Sequence, residues 1–296
     1  MNKTIKAAIF SMRLRTLPLS LAGVVLGMSL ALKSHEVSVW LIVWLLLTTV
    51  CLQILSNLCN ELGDFLKGTD GEQREGPMYS LAQGAIGVRD FKILVVAFVV
   101  LCCGFGAAMI WASFSTFLAW QPIMLLLLGV AAIWAAMHYT LGKNPYGYKG
   151  LGDVFVFIFF GLVSVLGSYY VVAHTIDSWS LLLPAITIGC FSVGVLNVNN
   201  IRDMESDAAT RVSLPLKIGA INAKIFQSVL IVLGWLCMIL YTMMNYVSLW
   251  NLLYIITLPL FLIHMNMVWK RNGKALDSAL PLLVISTFVF ALLAGI

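Results

Sequence analysis

Asn199-Asn200-Ile201-Arg202-Asp203-Met204-Glu205-Ser206-Asp207 closes an apolar run that begins near residue 180, and Arg211 follows four positions later. Only 10% of the 296 residues are charged, so three carboxylates and two arginines in one short stretch need a reason to be there. If the segment continues the preceding helix, Asp203 and Asp207 stand four apart on one face. Two carboxylates about 6 Å apart repel by about 3 kcal/mol at an effective dielectric near 20. Holding both ionised calls for a cation beside them, and a divalent metal meets that need. The arrangement has an earlier counterpart: Asn60 precedes Asp64 by four residues, and Asp70 and Arg74 follow. Each copy ends an apolar segment, which makes the pair a weak internal repeat.

Working outward, 61% of the residues are hydrophobic, against about 45–50% in an ordinary soluble protein. The composition reads as an all-α polytopic membrane protein. Crossing the hydrocarbon core takes about 20 apolar residues, which places nine spans near 16–33, 39–60, 91–112, 116–138, 151–173, 180–201, 224–242, 247–269 and 279–296. The split between the third and fourth rests on the Ser113–Thr116 break. Lys33 and His35 follow the first run, so it reads as a span and not as a cleavable signal peptide. With the N-terminus in the cytoplasm, 17 of the 18 Lys and Arg residues fall on that side and only Lys33 outside, as the positive-inside rule requires. The C-terminus is then expected outside. All six cysteines lie in apolar runs without metal spacing and read as small buried hydrophobes. His138, His174 and His264 read as interfacial residues near span ends, and most Trp, Phe and Met residues as lipid-facing or packing groups.

Carboxylates with Asn nearby, and no Cys or His, suit a hard cation such as Mg2+, which binds through one or two carboxylates and a substrate phosphate. Two such clusters would hold two Mg2+ ions on one diphosphate, with Lys67, Arg74, Arg202 and Arg211 taking the remaining phosphate oxygens. The implied chemistry is departure of a diphosphate from an allylic carbon, with the active site facing the cytoplasm.

At these residues the chain resembles the UbiA superfamily of intramembrane aromatic prenyltransferases. The resemblance runs from Arg13-Leu14-Arg15-Thr16-Leu17-Pro18, through Gln53 to Asp64, Lys67-Gly68-Thr69-Asp70 and Arg74-Glu75-Gly76-Pro77, to Tyr146-Gly147-Tyr148-Lys149-Gly150-Leu151-Gly152-Asp153, Gly167-Ser168-Tyr169-Tyr170 and Asn199 to Asp207. The Tyr146–Tyr170 stretch is similar to the menaquinone-pathway branch that prenylates 1,4-dihydroxy-2-naphthoate. The resemblance implies one domain over 1–296, with nine transmembrane helices around a central cavity under a cytoplasmic polar cap, in the inner membrane of a bacterium. It also implies Mg2+-dependent transfer of a polyprenyl chain from polyprenyl diphosphate to the naphthoate, with loss of diphosphate and CO2, giving a demethylmenaquinone. Asn60, Asp64, Asp70, Asn199, Asp203 and Asp207 would hold metal and diphosphate, and Lys67, Arg74 and Arg211 would contact phosphate. Tyr139 would lie near the reacting prenyl carbon, where its ring stabilises positive charge; Asp64, Asp203 and Tyr139 are the catalytic candidates. The expected partners are the two substrates and membrane lipid, with no nucleic acid and no protein partner specified.

The chain departs from the family pattern at Glu61, where an Asp is usual, at Thr210-Arg211-Val212-Ser213, which is one residue short, and at Asp153, where a Glu is common. Two rivals remain open at this stage. One is a sister enzyme acting on 4-hydroxybenzoate or another ring; the other is a secondary transporter, against which the acids gather at one membrane face and not at the midplane.

Overall fold

A computed structural model describes residues 3–69, 79–208 and 210–296. Among these residues nine helices are long and apolar enough to cross a membrane: α1 (Thr4–Leu32), α2 (Val39–Lys67), α3 (Val88–Phe114), α4 (Trp120–His138), α5 (Gly152–Ala173), α6 (Trp179–Arg202), α7 (Ala220–Met244), α8 (Leu249–Lys270) and α9 (Gly273–Ala294). In hydrocarbon each backbone N–H and C=O must be satisfied within the chain, and a helix does so segment by segment. The break between α3 and α4 stands where the sequence puts it, with Ser115 in the left-handed conformation, φ 52°, closing α3.

The helices belong to two compact units. The first comprises Met1–Leu17, Trp40–Gly152 and Glu205–Ser213; the second comprises Pro18–Val39, Asp153–Met204 and Leu214–Ile296. Most of α2, with α3 and α4, makes up the first, around Leu55, Leu58, Cys59 and Phe91. At its N-terminal end α1 is broken at Arg13, φ 48°, which leaves the Met12 and Arg13 carbonyls outside regular helix. Two side chains compensate. Asn57 Nδ2 donates to Met12 O at 2.9 Å, and Thr16 Oγ1 donates to Arg13 O at 2.9 Å while accepting from Asn57 and Gln53. Gln53, Asn57 and Thr16 can be enclosed in so apolar a chain because these hydrogen bonds replace the water they lose.

The second unit is built on α6, the most enclosed of the nine, with 72% of its apolar window buried against 17% for α4. Phe191, Trp235, Tyr254, Phe261 and Phe290 interlock around it, mostly edge to face. α5 crosses it closely: a Cβ on Gly161 would lie 2.6 Å from Gly189 Cα, and within that crossing the α5 backbone widens to the i→i+5 pattern over Phe157–Val163. Between α1 and α2, and between α5 and α6, the loops meet where His35 Nε2 and Tyr169 Oη both reach Asp177 Oδ2, at 2.7 and 2.6 Å. His35 first, and then Tyr169, hold the Asp177 carboxyl below its usual range.

Two sequence expectations change here. His264 is fully buried and not interfacial: Gln227 Nε2 donates to its Nε2 at 3.1 Å, and its Nδ1 donates to Ala279 O at 3.1 Å, so both ring nitrogens are satisfied inside the unit. His138 and His174 are exposed. Of the cysteines, Cys103 is exposed and the other five are buried, because neighbouring helical positions diverge by about 100° and Cys102 already takes the inward direction.

Candidate active site

In the first unit the site is built around the end of α2. The helix runs seven residues beyond the expected span end, to Lys67, and so carries Asn60, Glu61 and Asp64 out of the apolar run on rigid backbone. Gly68, φ 70°, ends it, and the Thr69 amide and hydroxyl both donate to Asp64 O at 3.0 Å. Asp64 is 6% exposed and accepts at Oδ1 from Tyr148 Oη at 2.7 Å. Burial, and then the Asp64 charge, push the Tyr148 phenol above its ordinary value, so it remains a donor across the physiological range. Lys67 Nζ lies 4.3 Å over the Tyr148 ring. One turn before Asp64, Asn60 Oδ1 is buried with no hydrogen-bond partner.

Glu61 points elsewhere. It is fully buried, accepts from Leu81 N at 2.9 Å and lies beside Ser11 and Arg13. Where the family pattern has Asp, this longer acid pins the chain at 79–81 to α2.

Tyr139 follows α4 and is placed by glycines. At Gly63 the chain from α4 comes so close that a Cβ would sit 2.5 Å from Thr140 Oγ1, and a Cβ on Gly147 would sit 2.5 Å from Tyr139 O and 3.1 Å from its ring. Gly147 N donates to Tyr139 O at 3.0 Å, and Tyr146 meets the Tyr139 ring edge-on at 5.4 Å. Gly147→Ala is therefore expected to displace the Tyr139 ring and cost about 1–3 kcal/mol by overpacking, read as a lower melting temperature in detergent together with reduced activity; unchanged values for both would remove the steric role given to Gly147.

The third contribution comes from far along the chain. Val212 N donates to Tyr148 O at 3.2 Å, with Lys149 and Val212 bridged in parallel, and this stitches Glu205–Ser213 into the first unit. It brings Asp207 and Arg211 with it, ion-paired at 2.6 Å. Burial disfavours the Arg211 charge, but Asp207, Asp64 and Tyr139 around it outweigh burial and raise its pKa. Asp64, Asp207, Arg211 and Tyr139 thus form one electrostatic group.

In the second unit, Arg202 at the end of α6 is 3% exposed and Asp203 1%. Arg202 Nε and Nη2 donate to the two Asp203 oxygens, both at 2.7 Å. Nη1 donates to Asp277 Oδ1 at 2.7 Å, and Nη2 also to Asn199 Oδ1 at 2.8 Å. Asn199 Nδ2 donates to Asp203 Oδ2 at 3.3 Å. The helix stops at Arg202 and does not continue to Asp207. An acid is unfavourable at a helix C-terminus, and here the Asp203 carboxylate is held by Arg202 and Asn199. Asp203 and Asp207 accordingly belong to different units and not to one helical face.

Asp70 and Arg74 lie outside the described residues. Among the described ones, no three of His, Cys, Asp and Glu converge on one point; Asp207 and Asp64 act on Arg211, and Asp203 and Asp277 both accept from Arg202. Asp277 is the residue that the sequence did not disclose, since 75 positions separate it from Arg202 and no motif surrounds it.

Residues 20–292 match the profile of the UbiA prenyltransferase family. The chain belongs to that family. This UbiA family member is 36% identical to the 1,4-dihydroxy-2-naphthoate octaprenyltransferase of Haemophilus influenzae, over 99% of the chain and 98% of the relative. It is 38% identical to the Escherichia coli protein of the same description, over 84% and 80%. Among solved structures, a UbiA homolog from Aeropyrum pernix K1 superposes with a TM-score of 0.69 at 15% identity, covering 96% of each chain. A UbiA homolog from Archaeoglobus fulgidus bound to DMAPP and Mg2+ gives 0.68 at 13% identity, covering 98% and 99%. These two likenesses give this UbiA protein its fold, that of a multi-pass membrane protein.

Proposed function

We propose that this chain transfers a polyprenyl group from polyprenyl diphosphate to 1,4-dihydroxy-2-naphthoate, releasing diphosphate and CO2, on the cytoplasmic side of a bacterial inner membrane. The observation that carries the chemistry is the gathering of Asp64, Asp207, Arg211 and Tyr139 from three separate segments into one group. The acceptor is inferred from the naphthoate octaprenyltransferases that the chain resembles along its length.

The donor set fits a hard divalent cation: carboxylate oxygens at Asp64 and Asp207, and a buried amide oxygen without a partner at Asn60. Mg2+ would be held by these residues with Asp70 and Asp203, and when bound it draws charge away from the departing diphosphate. Arg211 and Lys67, with Arg74, take phosphate oxygens, and the Arg fork favours two at once. Arg202 has its guanidinium committed to Asp203, Asp277 and Asn199, so we assign it to holding Asp203 and not to the phosphate. As the C–O bond breaks, its electron pair leaves with the diphosphate, and the Tyr139 ring faces the allylic cation. The naphthoate ring forms the new C–C bond at the carbon bearing its carboxylate; the C–CO2 bond then breaks and returns its pair to the ring. The enclosing helices exclude water from the cation.

The test is mass spectrometry of the product from purified protein, the naphthoate, 4-hydroxybenzoate and a set of prenyl diphosphates. A decarboxylated prenyl naphthalenediol is expected; a prenylated hydroxybenzoate, or a naphthoate that keeps its carboxyl group, overturns the acceptor or the decarboxylation respectively. Tyr148→Phe removes the donor to Asp64 and is expected to weaken the Mg2+ requirement's midpoint by about 10–100-fold, as loss of a partner hydrogen-bonded to a metal ligand does. Titration of activity with Mg2+ checks it, and an unmoved midpoint removes Tyr148 from the site.

A further inference from the structure

We propose that Asp277 is a positioning residue for Asp203: it holds the Arg202 guanidinium so that the Asp203 carboxylate can turn to a cation-bound diphosphate. The inference rests on the reading that Asp203 is a diphosphate-site ligand. Arg202 is buried, and a buried guanidinium that loses its only carboxylate is strongly disfavoured. Were Asp203 its sole acid partner, binding a cation at Asp203 would strand Arg202. Asp277 and Asn199 remove that obstacle, because Nη1 on Asp277 and Nη2 on Asn199 persist when Asp203 is taken up. The charges agree: one guanidinium and two carboxylates leave the cluster at −1, where Arg202 and Asp203 alone would be neutral.

Asp277 is held in place for this task. The neighbouring Leu276 is fully buried in a cluster with Val198 and Ile201, the turn of α6 that precedes Arg202, and this sets the register of the two segments. The turn between α8 and α9 is clamped on both sides. Lys224 Nζ donates to Arg271 O at 2.9 Å and to Asn272 Oδ1 at 2.8 Å, Arg271 Nη1 donates to Ser278 Oγ at 2.6 Å, and His264 Nδ1 donates to Ala279 O two residues beyond Asp277. Asp277 also stands near the N-terminus of α9, where a negative charge is favoured. A carboxylate needed only for solubility would not require so many anchors, and supports of this kind are what hold a ligand residue to its geometry.

The experiment measures Mg2+-dependent binding of a prenyl thiolodiphosphate, which cannot ionise readily, by the rise in melting temperature of the full-length protein in detergent. D277N is expected to raise the Mg2+ concentration for half-maximal binding about 10–100-fold. Asp277 is 45% exposed, so the melting temperature without Mg2+ is expected to stay within about 3 °C of wild type. D277E, which keeps the charge, is expected to restore the wild-type Mg2+ dependence to within about threefold. An unmoved Mg2+ midpoint in D277N overturns the proposal, and so does a fall in melting temperature without a change in midpoint. Should D277N fail to fold, R202K decides: a lysine cannot grip Asp203 and Asp277 together, so the same shift is expected and a wild-type midpoint overturns it. Wild-type protein showing no Mg2+-dependent binding overturns the diphosphate-site reading itself, whereas wild-type binding with an unmoved D277N overturns only the role given to Asp277.

Discussion

Asp64→Ala is expected to lower prenyl transfer by about 10²–10³-fold, the loss seen when a group stabilising charge at the reacting centre is removed, while leaving a folded protein. Asp64 sits at 6% exposure on the rigid end of α2, so its charge acts where water screens little. The fold survives because the main cost is one lost hydrogen bond to a charged group, about 1.5–3 kcal/mol, while the Tyr148 hydroxyl keeps Thr69 Oγ1 at 3.1 Å as a partner and Asp207 remains paired with Arg211. Asp64→Asn keeps the shape and an acceptor for Tyr148, and isolates the charge. Single-turnover rates of the two variants, with melting curves in detergent, check this; an Asn variant as fast as wild type would mean that the charge at 64 takes no part. The matching change at Asp203 behaves differently. Asp203→Ala strips the 3%-exposed Arg202 of a bidentate partner, and breaking a buried pair costs about 3–5 kcal/mol. Its inactivity would therefore mix loss of fold with loss of function, and Asp203→Asn is the cleaner probe.

Arg211→Ala is expected to cost about 3 kcal/mol of stability in EDTA, with millimolar Mg2+ restoring much of it. Arg211 is ion-paired with Asp207 and its charge also acts on Asp64, so its removal takes a buried positive charge from beside two enclosed carboxylates. A divalent ion can take that place, so the stabilisation by Mg2+ should be larger in the variant than in wild type. Arg211→Lys keeps the charge but loses the fork, and should melt between the two while binding prenyl diphosphate more weakly. Melting temperatures with EDTA and across a Mg2+ series make the comparison. Equal Mg2+ responses in wild type and Arg211→Ala would remove Asp207 from the cation site.

Much of this was legible in the chain before any fold was known. Apolar runs of sufficient length located the nine spans, because partition into lipid depends on each segment's own composition. Asp64, Asp203 and Asp207 stand out because charge at the end of an apolar run is costly without a purpose, and Asn60 by its place four residues ahead of Asp64. Glu61 drew notice too, but its direction was hidden: whether an acid faces a ligand or Leu81 N depends on where the chain returns twenty residues later. The burial of His264 was hidden for the same reason, its partners lying on α7 and α9.

What the sequence by itself determined was the solvent, the number of crossings and the residues carrying charge, all properties that a segment has alone. The tertiary structure alone decided which of those charges meet. It ended α6 at Arg202, drew Asp207 and Arg211 to Asp64 through the Tyr148–Val212 hydrogen bond, and set Asp277 against Arg202 across 75 residues. The reason is that a pairing between distant segments exists only once helices have packed and fixed their register, as Leu276 does against Ile201, and no spacing along the chain records that register.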